Sequence, residues 1–172
     1  TSATRELQAR ATFEAIERAL ETVGVDFSNV ARTWLFLDDI LDWYDEFNVV
    51  RTAFFTERGV GRLEGSTKAA IGGANPWGAA MMVGAYAIEA HDPRVNVQAL
   101  PSPLQCPAME YGSSFSRAAE IDMPDLRRVF VSGTAGIAPN GETDHIGDVL
   151  GQTALTCDVI EAILVSRGMG WE

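Results

Sequence analysis

The strongest constraint on this chain is a repeat that relates its two ends. Displacing residues 8–27 by 144 positions places Gln8 on Gln152 and Gly24 on Gly168 without a gap. The remaining matches are Thr12 with Thr156, Ile16 with Ile160, Glu17 with Glu161, Leu20 with Leu164 and, aromatic for aromatic, Phe27 with Trp171. Amphipathic helices share apolar spacing by chance, but the matched Gln, Thr, Glu and Gly residues indicate a duplicated structural unit.

The repeat divides the chain into two incomplete units. Residues 5–23 and 148–167 each have the apolar spacing of a helix, and a glycine follows each run as a C-cap. We therefore expect residues 1–92 to form the back half of one unit and residues 93–172 to form the front half of a second. Because a lone half leaves a sheet edge and an apolar helix face uncovered, the halves should complete one another, within one chain as a permuted domain or between chains.

Between the two helices the sequence alternates between strand and helix patterns. Strand formers dominate residues 30–37, and aromatic residues keep helical spacing over 42–58, where Gly59 ends the helix. Further strands are predicted at 68–71, 79–90, 95–100, 115–121 and 128–133. The sequence therefore predicts an α+β fold, and completion of the halves would pair the strands of 115–133 with those at 30–37 and 79–90.

Composition narrows the classes of function. The 172 residues are 47% apolar and carry a formal net charge of −11, which disfavours sequence-independent nucleic-acid binding. We expect a cytoplasmic protein with no membrane segment, because no apolar run is long enough to span a bilayer and the charged start lacks a secretory signal.

Cys106 and Cys157 fit a reducing compartment, and the distant His91 and His145 favour no metal site. The glycines form no nucleotide-binding motif, so no cofactor is expected.

Residues 128–168 resemble the Rid (YjgF-type) family, whose members are also described as endoribonuclease L-PSP-like. The features that carry the resemblance are a strand ending in Ser132-Gly133, a Pro-x-Gly turn at 139–141, and Gly147-Asp148 and Gln152 at the opening of a helix. Residues 8–89 look like the complementary back half of such a unit. The two stretches together cover most of the chain.

A closer relation is indicated by residues 111–118, whose sequence YGSSFSRA leads into the Ser-Gly strand. This segment is similar to the chorismatases, two-unit relatives of the Rid proteins that hydrolyse the enolpyruvyl ether of chorismate and release pyruvate. The resemblance implies a chorismate-mutase-like α+β unit, with helices packed on one face of a mixed sheet and built here from two half-repeats. It also implies a homo-oligomer, with a trimer favoured, and a small carboxylate bound in pockets between units.

Arg117 is the first candidate for ligand binding, because a guanidinium can grip a carboxylate through two parallel hydrogen bonds. Phe115 and Ser116 stand where the Rid pattern has a Tyr-Ser pair before a strand. Tyr111, beside small and flexible residues, can offer a ring face and a hydroxyl to a ligand. The alternative is structural: an exposed arginine on an edge strand, and a loop aromatic packed on the core.

The end of the Ser-Gly strand is the second candidate site. Ser132, Gly133 and Thr134 follow a run of strand formers. Backbone amides and small hydroxyls at such a place can bind an anion. The alternative is a plain transition from strand to loop.

The resemblance to the Rid deaminases implies positions that this chain fills differently. Those enzymes supply a carboxylate-binding arginine where this chain has Ser66 and Thr67, although the adjacent Lys68 could substitute as a point charge. They also use a glutamate near a strand end to position water. Tyr86 takes that place here, and Glu89 ends the predicted strand as the other catalytic candidate. The missing arginine counts against deaminase activity.

The favoured function is binding of a small carboxylate by Rid-like units, with chorismatase-type hydrolysis as its enzymatic form. A deaminase or another Rid-family hydrolase is the second hypothesis, and a non-enzymatic ligand-sensing or structural oligomer is the third. Arg117 with Tyr111 favours the first hypothesis, whereas the incomplete second unit favours the third.

Overall fold

The computed structural model describes residues 3–59, 67–107 and 115–171. Their contacts separate into two compact units, of which unit 1 holds residues 3–59 and 68–89. Unit 2 holds residue 67 together with 90–107 and 115–171. Helices and strands occur in both units, so the predicted α+β fold is confirmed. No helix within these ranges has the length and hydropathy of a membrane-spanning segment.

Unit 1 combines a three-stranded sheet with two helices. Its elements in chain order are α1 (Arg5–Glu21), β1 (Val30–Leu37), α2 (Tyr44–Glu57), β2 (Thr67–Gly72) and β3 (Met81–Ala87), with short 3-10 helices at Phe27–Asn29 and Ile40–Asp42. The strand order is β2-β1-β3. β1 and β3 are antiparallel, with Leu37 opposite Met81 at one end and Val30 opposite Ala87 at the other.

The core of unit 1 is aromatic. The ring of Phe13 in α1 lies 5.3 Å from that of Phe54 and 6.1 Å from that of Phe47, both in α2, and it meets Phe55 edge-on at 5.6 Å. Each such pair contributes roughly 0.5–1.5 kcal/mol beyond the burial of apolar area. Leu35 of β1 packs in the same cluster. The two helices are therefore fixed to each other and to one face of the sheet.

Unit 2 is an antiparallel meander covered by a helix. Its described elements are β4 (Asn96–Leu100), β5 (Ala118–Asp122), β6 (Arg127–Val131) and α3 (Val149–Val165). The strand order is β4-β5-β6, and the register aligns Leu100, Ala118 and Val131 across the sheet. Val159 and Ile163 of α3 are fully buried against this row. The apolar row and the helix thus form the core of unit 2.

The repeat in the sequence is also a repeat in structure. α1 and α3 are both 17 residues long, and their ends are displaced by the same 144 positions as the sequence match. Thr4 and Asp148 occupy the same N-cap position, and each side chain accepts a hydrogen bond from an N–H of the first turn. After the helices, Gly24 and Gly168 have φ of 80° and 69°, a left-handed conformation that favours glycine.

The expectation that the two halves share one sheet within the chain is wrong. Among the described residues, β1 pairs with β2 and β3, whereas β5 pairs with β4 and β6, so the strands form two separate sheets. The physical reason lies in the repeated helix. α1 packs in the core of unit 1 and α3 packs in the core of unit 2, so each helix covers the sheet of its own unit. Completion between chains stays a prediction.

Candidate functional site

Arg117 lies directly before β5, and its environment is built by the proline-rich loop that follows β4. The residue is 5% exposed, and its Nε and Nη2 donate hydrogen bonds of 3.0 and 2.8 Å to the carbonyl oxygen of Cys106. The guanidinium carbon lies 5.7 Å from the ring centroid of Phe115. A backbone carbonyl and an aromatic ring thus fix the plane of the guanidinium before any ligand arrives.

The Ser-Gly end of β6 braces the segment that carries Arg117. The Ser132 N–H donates a hydrogen bond of 2.9 Å to the carbonyl oxygen of Arg117. The Ser132 hydroxyl donates a hydrogen bond to the carbonyl oxygen of Ser116. The hydroxyl of Thr134 donates to the Ser132 carbonyl at 2.9 Å, while Gly133 is exposed. These bonds extend the β5–β6 pairing by one residue pair. They bring Ser116 and Arg117 together with Ser132, which was predicted as part of a separate candidate site.

Gln105 belongs to this neighbourhood but was not predicted from the sequence. It is 6% exposed, and its Nε2 donates to the carbonyl oxygens of Ala135 and Ile137 at 3.0 and 3.1 Å. Its buried Oε1 has no hydrogen-bond partner within the described part of the chain. Gln105 therefore ties the proline-rich loop to the segment after β6, and Cys106 beside it holds Arg117. The only signal in the sequence was a polar residue inside a loop rich in proline.

Glu120 is a buried charged residue on β5, and its role is structural. The carboxylate is 0% exposed and accepts hydrogen bonds from Arg167 at 3.0 and 2.5 Å and from Gln98 at 2.6 Å. Arg127 lies 3.3 Å away. These donors, led by Arg167, hold the pKa of Glu120 below its usual range, against the opposing effect of burial. Glu120 is therefore ionised near neutral pH and is not a proton donor there.

The structure describes three of the five remaining predicted residues. Tyr111 and Ser66 fall outside the described residues. Thr67 is fully buried at the start of β2. Tyr86 is half-buried on β3, and Glu89 is exposed two residues beyond the end of that strand. The structure thus groups the candidates around Arg117 in unit 2, whereas Tyr86 and Glu89 belong to unit 1.

Unit 1 has an open cavity of about 460 Å³, lined by residues 38–42 and 72–74. Asp39 and Asp42 in its wall face Arg5, which lies 3.2 and 3.8 Å from their carboxylates. None of the predicted site residues lines this cavity. No cluster of three metal-ligating side chains occurs within residues 3–59, 67–107 and 115–171.

The fold has known counterparts among solved structures. A crystal structure of a chorismatase matches 99% of this chain and 55% of its own, with a TM-score of 0.73 and 24% sequence identity. E. coli TdcF with bound serine matches 52% of this chain and 68% of its own, with a TM-score of 0.47 and 21% identity. Yeast Mmf1 matches 52% of this chain and 67% of its own, with a TM-score of 0.44 and 18% identity. A scan of protein-family models and a search of curated proteins give no match.

The chorismatase match identifies the class of fold, because it extends over nearly the whole chain. The chain has a fold of the Rid/YjgF, chorismatase-like type, as its sequence predicted. The chain spans just over half the length of that chorismatase.

Proposed function

We propose that this chain binds a small carboxylate at the Arg117 site, and that its enzymatic form is chorismatase-type hydrolysis of an enolpyruvyl ether. The proposal rests on the buried guanidinium of Arg117, which two hydrogen bonds to the Cys106 carbonyl hold in place. Its setting is a fold that matches a chorismatase over 99% of this chain.

The Cys106 carbonyl, which accepts from Nε and Nη2 of Arg117, orients the guanidinium for the proposed carboxylate contact. A side chain that is fixed before binding loses little rotamer freedom when the ligand arrives. A charge-assisted pair of this kind contributes on the order of 1.5–3 kcal/mol, which is about tenfold to a hundredfold in affinity.

Small polar groups beside Arg117 would complete the anion site. Gly133 and Thr134 are the proposed source of backbone donors, since they follow the serine that braces the arginine. The family pattern alone supports Tyr111 as a cover for the ligand ring, and Ser66 and Thr67 as further contacts.

Hydrolysis needs an acid as well as a carboxylate site. Cleavage of an enol ether begins with proton transfer to its terminal carbon, so the donor must be protonated near neutral pH. Glu120 does not meet this requirement, because Arg167 holds its pKa low. The catalytic acid is unassigned; the family pattern alone offers Glu89 and Tyr86, both in unit 1, as candidates for proton transfer or water activation. Carboxylate binding is therefore the primary proposal, and hydrolysis depends on it.

The active species is proposed to be a closed homo-oligomer, with a trimer as the first expectation. The support is the Rid-type fold, for which the family resemblance implies a trimer. Light scattering at micromolar concentration measures the assembly directly. A stable monomer under those conditions would count against the oligomer.

Calorimetry with wild type, Arg117→Lys and Arg117→Ala tests the binding site. We expect at least one of chorismate, substituted benzoates or short 2-oxo acids to bind wild type, and Arg117→Ala to bind it roughly tenfold to a hundredfold more weakly. Arg117→Lys should recover part of the affinity, because lysine keeps the charge but lacks the fork. Arg94→Ala is the matched control, since Arg94 lies in an exposed ion pair with Asp92.

Two outcomes would overturn parts of this proposal. Equal affinity of wild type and Arg117→Ala for the same carboxylate would remove Arg117 from the site. If no carboxylate binds wild type, the structural hypothesis replaces ligand binding. An assay of pyruvate release from chorismate then tests hydrolysis separately from binding. A protein that binds chorismate without releasing pyruvate is a binding protein only.

A further inference from the structure

The buried face of α2 contains a charged residue, Arg51. It follows Phe47 by four residues and precedes Phe55 by four, so the three side chains lie on one face of the helix. Both phenylalanines belong to the aromatic core of unit 1, and Arg51 itself is only 3% exposed. An arginine is almost never buried to this extent unless another group balances its charge.

The surroundings of Arg51 compensate its charge only in part. The guanidinium carbon lies 5.6 Å from the centroid of the Phe47 ring, which is a cation–π contact. Burial lowers the pKa of Arg51, and the nearby Tyr44 hydroxyl opposes this effect without cancelling it. The buried Nε–H has no acceptor, and no carboxylate forms an ion pair with Arg51 within the described residues.

Two other arginines show how this chain normally satisfies a guanidinium. Arg58, which follows α2, donates to both carboxylate oxygens of Glu17. Arg117, which is 5% exposed, donates two hydrogen bonds to the carbonyl oxygen of Cys106. Arg51 is at least as deeply buried as Arg117, yet the described part of the chain offers its Nε–H neither kind of acceptor. An acceptor that carries negative charge would satisfy both the hydrogen bond and the charge.

A second unsatisfied group lies about one helical turn away. The Oδ1 atom of Asn48, three residues before Arg51, is buried and receives no hydrogen bond from the residues that the structure describes. Side chains at this spacing are neighbours, with Cβ atoms about 5–6 Å apart. Their needs are complementary, because the Arg51 Nε–H requires an acceptor and the Asn48 Oδ1 requires a donor. A water molecule meets both needs but has no charge to balance the guanidinium.

We infer that Arg51 and Asn48 form a binding site in unit 1 for a small 2-hydroxy carboxylate. The carboxylate accepts hydrogen bonds from the guanidinium of Arg51, and the adjacent hydroxyl donates to the Asn48 Oδ1. A single negative charge fits best, because a phosphate dianion would leave one buried charge unbalanced. A hydroxyl is a better donor than an ammonium group, which would cancel the charge of the ligand. This site belongs to unit 1, whereas the Arg117 site belongs to unit 2.

Thermal unfolding with glycolate, the smallest 2-hydroxy carboxylate, tests the site. Acetate is the comparison that lacks the hydroxyl, and a bulky sulfonate at the same ionic strength is the reference. We expect saturating glycolate to raise the Tm of wild type by at least about 4 °C, and acetate to raise it less. Arg51→Met should show no such rise. Without glycolate this variant should be at least as stable as wild type, because it removes an unbalanced buried charge.

Three further variants separate the contributions. Asn48→Ala should reduce the glycolate response to the level of acetate, and Arg117→Ala should keep the full response. Arg94→Met, which removes an exposed arginine, is the matched control and should also keep it. Calorimetry with glycolate measures binding to wild type and Arg117→Ala directly. Absence of glycolate binding to wild type, or an equal rise in Tm for wild type and Arg51→Met, would overturn the inference. Equal responses of wild type to glycolate and acetate would overturn the role of Asn48.

Discussion

Arg167 joins the end of α3 to the middle of β5 through the carboxylate of Glu120. The arginine lies two residues beyond the helix and donates to both carboxylate oxygens, while its own carbonyl accepts a hydrogen bond of 3.2 Å from Arg127. The helix, the central strand and the edge strand β6 are thereby linked through one buried charge. Because this carboxylate has its donors only when unit 2 is folded, its protonation is coupled to folding.

Glu120 should make the stability of unit 2 depend on pH. Its pKa is lowered in the folded state, so its contribution to the free energy of unfolding is complete above the ordinary glutamate pKa of about 4.3 and is lost as the pH falls through the folded value. Glu120→Gln should therefore destabilise the protein most near pH 7, and the difference from wild type should shrink toward pH 3. Urea denaturation at several pH values measures it. A difference independent of pH would contradict the prediction.

Gln105 should stabilise the loop that holds Arg117. Gln105→Leu removes the donor to the Ala135 and Ile137 carbonyls and is expected to lower the free energy of unfolding by about 1–3 kcal/mol. Because Cys106 follows directly, the same variant should weaken carboxylate binding while Arg117 itself is unchanged. Gln98→Leu, on β4, is the control for loss of a half-buried amide elsewhere. Unaltered ligand affinity in Gln105→Leu would separate the loop from the site.

Gly136 should be sterically required beneath α3. A Cβ at this position would lie 3.1 Å from the Cα of Gln152 and 3.3 Å from its carbonyl oxygen, both of which are backbone atoms. Gly136→Ala is therefore expected to destabilise by about 1–3 kcal/mol, because the helix must shift to admit the methyl group. Gly170→Ala, where nothing lies within 4 Å, should stay within about 0.5 kcal/mol of wild type. Thermal unfolding of the two variants compares them directly.

The repeat-equivalent pair Phe13 and Cys157 should respond very differently to truncation. Phe13→Ala opens a cavity among Phe47, Phe54 and Phe55 and is expected to cost about 3–5 kcal/mol. Cys157→Ala removes one exposed sulfur and should change the free energy of unfolding by less than about 0.5 kcal/mol. Chemical denaturation gives both values. Similar losses would mean that Cys157 is buried in solution.

The sequence predicted the elements well, and the errors at their ends have a common cause. Apolar residues extend the strand pattern to residue 90, yet β3 ends at Ala87, because its partner β1 begins opposite it at Val30. Likewise β5 begins at Ala118 rather than 115, because β4 ends opposite it at Leu100. The length of a strand depends on its neighbour, and that neighbour is distant in sequence.

The same distinction applies to the site. Arg117, Ser116 and Ser132 were predicted as site residues because a local motif marks each of them. Gln105 acts on carbonyls 30 and 32 positions away, and no spacing rule marks such a contact. Glu120 and Arg167 are 47 positions apart and meet only because α3 crosses the sheet. Contacts between distant segments therefore account for most of what the sequence did not show.

The two sheets differ in how much of the chain must be synthesised before their strands can pair. β5 and β6 are adjacent and joined by a short turn in which the Met123 N–H donates to the Leu126 carbonyl, so that hairpin can form by local search. β1 must instead wait for β2, about thirty residues later, and then for β3, so its apolar strand stays unpaired for longer. During synthesis the first half to emerge is thus the slower to fold, and β1 is the segment on which a holding chaperone would act.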